Sequence, residues 1–217
     1  MSWRRLAALF AAGMAIVFIA SVGTTFKPAV NTIFGAIHGN LTEAAARALL
    51  QKFQILSQPP ASGAPQPPVV ITDREANSYL KFYGRRFLPA GVYHPVVHIE
   101  PGGVQGVAMV NFDQLSSGQA QNNPLGGGLL GMLFKGWQPV RAFGRITTTP
   151  GRYRLTIENV QIGDTQLNDW LVNWLLQTYV ESKYKIDLNH SMNLPPGVTR
   201  LELANGKAIF YRAPASQ

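Results

Sequence analysis

His94, His98 and Glu100 carry the metal or acid–base case in a chain with four histidines and no cysteine. On an extended strand these even positions share a face, but His94 and His98 lie about 13 Å apart at ~3.3 Å per residue. That is too far for one ion unless Pro95 bends the strand sharply. His98 and Glu100 are close enough to cooperate, yet two ligands make a poor metal site. Asp164 and Asp169 are near neighbours, and they suit the start of a helix, where free N–H groups want an acceptor. The chain contains no G-x-S-x-G, H-E-x-x-H, P-loop or G-x-G-x-x-G pattern. Without cysteine, disulfides, thiol catalysis, Cys-ligated zinc and a lipoprotein anchor are removed. The expectation is a protein that is not an enzyme, with no catalytic residues, no metal and no cofactor. An enzyme with an unrecognised site stands as a second alternative.

Binding chemistry is better represented. Residues 114–139 run from a polar stretch into PLGGGLLGMLFKGWQP. Leu129, Leu130, Met132, Leu133, Phe134 and Trp137 stand there among glycines that weaken a helix. A long loop with such a tip suits a gate over an apolar cavity or a wedge in a bilayer interface. The plainer reading folds the tip back onto the core. Trp170 and Trp174 would be cavity wall if a hollow exists and ordinary core if it does not. Arg141, Arg145 and Arg154 share a sheet face with Phe143 and Glu158. That face either contacts lipid head groups or is a solvated outer face.

The elements that must position these groups follow from periodicity. Asp164 to Lys185 has apolar residues at helical spacing, including Leu167, Leu171, Trp174 and Leu175, with Asp164, Thr165 or Asn168 as cap. It reads as a long apolar helix at the centre of the fold. Three hairpins surround it in sequence. Val92–Glu100 and Val104–Phe112 flank Pro101-Gly102-Gly103, Val140–Thr148 and Arg152–Ile162 flank Pro150-Gly151, and Val198–Ala204 and Lys207–Arg212 flank Asn205-Gly206. Val69-Val70-Ile71 is a short strand leading into a helix capped by Thr72 and Glu75, with Ala76, Tyr79, Leu80 and Tyr83 inward and Asn77 expected in solvent. The fold class is α+β: a curved antiparallel sheet of hairpins packed around a long apolar helix, preceded by a transmembrane helix.

Upstream, Leu6 to Phe26 is an uncharged run whose helix would span roughly 31 Å, about one hydrocarbon thickness. It reads as an anchor, or as a signal segment cleaved near Ser21-Val22-Gly23 to release a secreted protein. Arg4 and Arg5 before it orient the N-terminus inward and the bulk of the chain outside the cytoplasm. Asn40 to Gln58 is a membrane-proximal helix opened by an Asn40/Glu43 pair, and SQPPASGAPQPP over 57–68 is a semi-rigid spacer. The organisation is a cytoplasmic stub 1–5, anchor 6–26, helical region 27–56, linker 57–68, α+β domain 69–212 and a disordered tail 213–217. Net charge is +8; setting Arg4 and Arg5 aside leaves 17 basic against 11 acidic residues, still +6. That favours anionic partners, and the export topology argues against nucleic acid.

Ile71, Thr72, Glu75, Asn77 and Leu80 match a form I-T-x-x-E-x-N-x-x-L. With an N-terminal anchor, a GV-led hairpin, a glycine-rich apolar insertion and an apolar helix between hairpins, the chain resembles small membrane-anchored bacterial envelope proteins of unknown function. Some of these are likened to the tubular lipid-binding (TULIP-like) superfamily. The resemblance covers Val69 to Arg212 and implies an inner-membrane protein whose periplasmic domain binds lipid or another apolar ligand. It carries over no catalytic residue. Membrane lipid is the expected partner. The alternative is an envelope scaffold acting through an envelope protein partner.

Overall fold

The computed structural model describes residues 40–60, 66–119, 133–177 and 190–213. The expected anchor, the helical region before Asn40, part of the proline-rich spacer, Leu129, Leu130 and Met132, residues 178–185 of the expected long helix and residues 214–217 of the expected tail lie outside them. Among the described residues no helix is long and apolar enough to cross a membrane.

The first element is helix α1, Glu43–Ser57. Thr42 caps it, its hydroxyl accepting from the Ala45 N–H at 3.2 Å. The cap is therefore not Asn40, which lies too early to reach the first turn. Ala46, Leu49, Phe53 and Leu56 are buried on one face. Burying each of the three larger side chains contributes about 1.5–3 kcal/mol. This helix, read from sequence as membrane-proximal, is packed into the folded unit.

Strand β1, Val69–Thr72, passes directly into helix α2, Asp73–Tyr83. The Thr72/Glu75 capping box forms in full: the Thr72 hydroxyl accepts from Glu75 N–H and the Glu75 carboxylate accepts from Thr72 N–H. Strands β2 (Val92–Glu100) and β3 (Gly103–Asn111) form the first hairpin about Pro101-Gly102. Helix α3, Phe112–Gln119, then occupies a stretch read as irregular; the Asn111 side chain accepts from Asp113 and Gln114 N–H groups and starts it. Strands β4 (Trp137–Thr149) and β5 (Arg152–Ile162) turn about Pro150-Gly151. Short β6 (Thr165–Gln166), helix α4 (Asp169–Leu175) and short β7 (Met192–Asn193) follow, and β8 (Val198–Ala204) and β9 (Lys207–Arg212) close the chain about Asn205-Gly206. All pairings are antiparallel, in a three-stranded sheet β1-β9-β8 and a six-stranded sheet β2-β3-β4-β5-β6 with β7 on β5. The class is α+β, mostly antiparallel sheet with a few helices.

The long apolar helix expected over 164–185 is not found among the described residues. Thr165-Gln166 pairs with Ile162 and Gln161 as an edge strand, so the backbone of the expected first turn is used in a sheet. The helix opens later, where the Asn168 side chain accepts from Leu171 N–H at 2.9 Å. Leu171, Val172 and Leu176 are buried against the six-stranded sheet.

Helix α2 reaches both halves of the core, as do β2 through Val97 and Ile99 and the strand residues Val104 and Ile146. One core gathers Val97, Ala108, Val110, Val140, Leu155, Val160 and Ile162 beneath the larger sheet. The other gathers Leu49, Phe53 and Leu56 of α1 with Ile71, Val198, Leu201 and Phe210 of the smaller sheet. Ala76 and Leu80 of α2 enter the first core, and Tyr79 enters the second. Asn77, expected in solvent, is 1% exposed and clasps β2: its amide donates to the Val97 carbonyl and accepts from the Val97 N–H, both at 2.7 Å.

Candidate functional site

Where α2 ends, the chain makes a groove. Leu80 and Lys81 come from the last turns of α2 and Arg85 from the 3-10 turn at Gly84–Arg86. Leu88, Pro89, Ala90, Gly91 and the opening of β2 through Pro95 complete one wall. Leu41, ahead of α1, and Gln114 of α3 close the rim. The volume is about 620 Å³, within the roughly 300–1,000 Å³ of small-molecule sites.

Backbone geometry is unusual there. Gly91 has φ +90°, and a Cβ on it would stand 2.7 Å from the Asn111 carbonyl oxygen. Only glycine fits that approach. His94 has φ +48°, the one non-glycine residue with positive φ among the described residues. Pro95 has no N–H to give the ladder, and the β2–β3 register slips between Tyr93 and Val96 as a bulge. One extra residue re-phases the strand, so Val92 and Val97 both reach the same core. Strain of this kind persists where surrounding structure over-determines it, commonly at binding sites.

The lining is apolar along Leu41, Leu80, Leu88, Pro89 and Val92, with Lys81 and Arg85 as cations and no carboxylate among the described residues. The Arg85 guanidinium lies 5.4 Å from the Tyr93 ring centroid, and Lys81 Nζ lies 5.5 Å from that of Phe82. Neither cation has an ion-pair partner among the described residues. Tyr93 donates its hydroxyl hydrogen to the Gln114 side-chain oxygen at 3.0 Å, and its ring meets Trp137 at 4.9 Å. Trp137 of the expected gate segment thus touches one lining residue, Tyr93, without lining the groove itself.

The residues singled out from sequence are not brought together as one site. Leu133 and Trp137 are each 52% exposed. Phe134 folds back, 5.3 Å from Phe112 and against the larger core. Trp174 is half-buried in that core, and Trp170 is 66% exposed and does not line the groove. On the arginine face, Arg145 is held by both Glu158 oxygens, which raises its pKa, and Arg141 donates to Gln161 at 3.2 Å. Glu158 sits where β5 bulges against Phe143 and Gly144. Arg154 is exposed, opposite Thr147.

His98 pairs with a residue the spacing did not suggest. Its Nδ1 lies 2.5 Å from Asp73 Oδ2, while Asp73 Oδ1 accepts from Ile99 N–H at 2.8 Å. The Asp73 hydrogen bond raises the His98 pKa, burial opposes it, and the charges of Asp73 and Glu100 add to the rise. The pair docks the start of α2 onto β2. Among the described residues no three metal-binding side chains converge. The groove residues Lys81, Arg85, Leu88 and Tyr93 were missed from sequence. The available signal was two cations four apart at a helix end, followed by FLPAG and a proline inside a strand. No family model matches the chain, and no curated protein matches it.

Proposed function

We propose that this is a non-enzymatic, membrane-tethered extracytoplasmic domain that binds a lipid or another apolar ligand. The observation that carries the reading is the groove: an apolar wall with two cations that have no ion-pair partner among the described residues, and with exposed Trp137 against its Tyr93 ring. Soluble surfaces rarely leave such groups together without an occupant. The uncharged 6–26 segment would hold the domain beside the bilayer, with the N-terminus in the cytoplasm and the domain in the periplasm. The finer tubular architecture, a curved sheet around a long apolar helix, belongs to this proposal. Its support is the buried Leu171, Val172 and Leu176 face of α4.

The test is native mass spectrometry of the full chain extracted in mild detergent. The parent chain is expected to carry lipid, and Leu88→Asp, which puts a charge on the groove wall, is expected to lose most of it while circular dichroism stays unchanged. A parent chain that emerges empty overturns the reading. Capture of an envelope protein by that empty chain would favour a scaffold instead.

A further inference from the structure

The groove has a charge preference as well as an apolar wall. Resting on the reading above, we propose that it selects phospholipids with a net negative head group over zwitterionic ones, the phosphate-bearing head meeting Lys81 and Arg85. Arg85 is presented with its guanidinium over the Tyr93 ring. That stacking orients a planar fork, the geometry that grips phosphate oxygens in pairs, and Lys81 supplies a compact second charge. Among the described residues no carboxylate lines the groove to neutralise either cation. Acyl carbon would lie along Leu80, Leu88 and Val92.

Cations here have a ligand-free role too, since they offset the negative end of the α2 dipole. Arg86 stands at the same helix end without lining the groove, its guanidinium 4.9 Å from the Phe87 ring centroid. Dipole compensation therefore does not account for Lys81 and Arg85 both lining an apolar wall. The two roles also differ in what they move: the dipole role moves stability, and the ligand role moves head-group preference.

The experiment uses the full chain in zwitterionic detergent, equilibrated with equal amounts of phosphatidylglycerol and phosphatidylcholine of identical acyl chains. Retained lipid is quantified by mass spectrometry, and the amount held by Leu88→Asp is subtracted as the share bound elsewhere. The parent chain is expected to favour phosphatidylglycerol by about tenfold or more, the scale of a charge-assisted hydrogen bond. In Lys81→Gln/Arg85→Gln the ratio should fall to about one with total lipid retained, since an apolar wall alone has no charge preference. Arg154→Gln, the same change on the exposed sheet face, should keep the parent ratio. Equal retention of the two lipids by the parent, or a preference that survives the double substitution, overturns the charge selection and leaves lipid binding standing. If the parent retains no more of either lipid than Leu88→Asp does, the lipid-binding reading fails and the selection with it.

Discussion

The two ends of helix α2 solve opposite problems. At its start, each polar group is answered. Asp73 holds His98 and the Ile99 N–H, Glu75 holds Thr72 and the Lys52 ammonium at 2.5 Å, Lys52 also donates to the Val70 carbonyl, and the Ser78 hydroxyl accepts from Thr42 N–H. At its other end, Lys81 and Arg85 line an apolar groove without an ion-pair partner among the described residues, beside a strained strand opening. A region that satisfies its own groups is a fastening. A region whose cations find no ion-pair partner among the described residues is the proposed ligand site. The I-T-x-x-E-x-N-x-x-L stretch belongs to the first kind: Ile71 and Leu80 are buried, Thr72 and Glu75 cap, and Asn77 clasps a strand. Its pattern is accounted for by folding alone.

That contrast can be broken most directly at Asn77. Replacing it by Ala leaves the buried Val97 N–H and carbonyl without partners, at about 1–3 kcal/mol for each orphaned group. Urea unfolding of Asn77→Ala should show a loss of at least about 2 kcal/mol, with lipid carried per folded molecule unchanged. A loss below about 0.5 kcal/mol, the range of ordinary surface changes, would show that the clasp is not a fastening.

A smaller effect should appear on titration. The folded His98 pKa is raised above 6.5, so the native state binds the proton more tightly than the unfolded chain. Stability from the Asp73–His98 pair is fully present below that ordinary value and is lost as pH rises through the folded one. The melting temperature of the parent should fall across that window, and His98→Asn should remove that component of the fall. A parent curve that rises there, or a His98→Asn curve with the same slope, contradicts the assignment.

The smallest stability effect belongs to the open end. Lys81→Gln/Arg85→Gln should change unfolding free energy by no more than about 0.5 kcal/mol, as exposed substitutions do. A loss of 2 kcal/mol or so would make these cations part of the fastening and erase the difference between the two ends.

Much of the local structure was legible. The Pro-Gly and Asn-Gly pairs set two-residue turns, and a two-residue turn leaves one register for the strands it joins, so Ile99 opposite Val104 and Ala204 opposite Lys207 follow from the chain. Thr72 and Glu75 announced their cap for a similar reason, since the partners lie three residues apart. The bulges were not legible. Tyr93–Val96 and Phe143–Gly144 each re-phase a strand, and an inserted residue shows only against the partner strand. Asn111 as the start of α3 was a missed local signal, hidden because Phe112 also continued the alternation of β3.

Sequence by itself determined the hairpins, their turns, the capped helix after Thr72 and the apolar faces, because each depends on groups within a few residues of one another. Tertiary structure alone decided that α2 joins the two cores, that Asn77 turns inward to Val97, that Arg145 is taken by Glu158, and that Lys81 and Arg85 share a groove with Leu41 and Tyr93. Those pairings join positions as far apart in sequence as Leu41 and Tyr93, and only the packing of the sheets and helices brings them within reach.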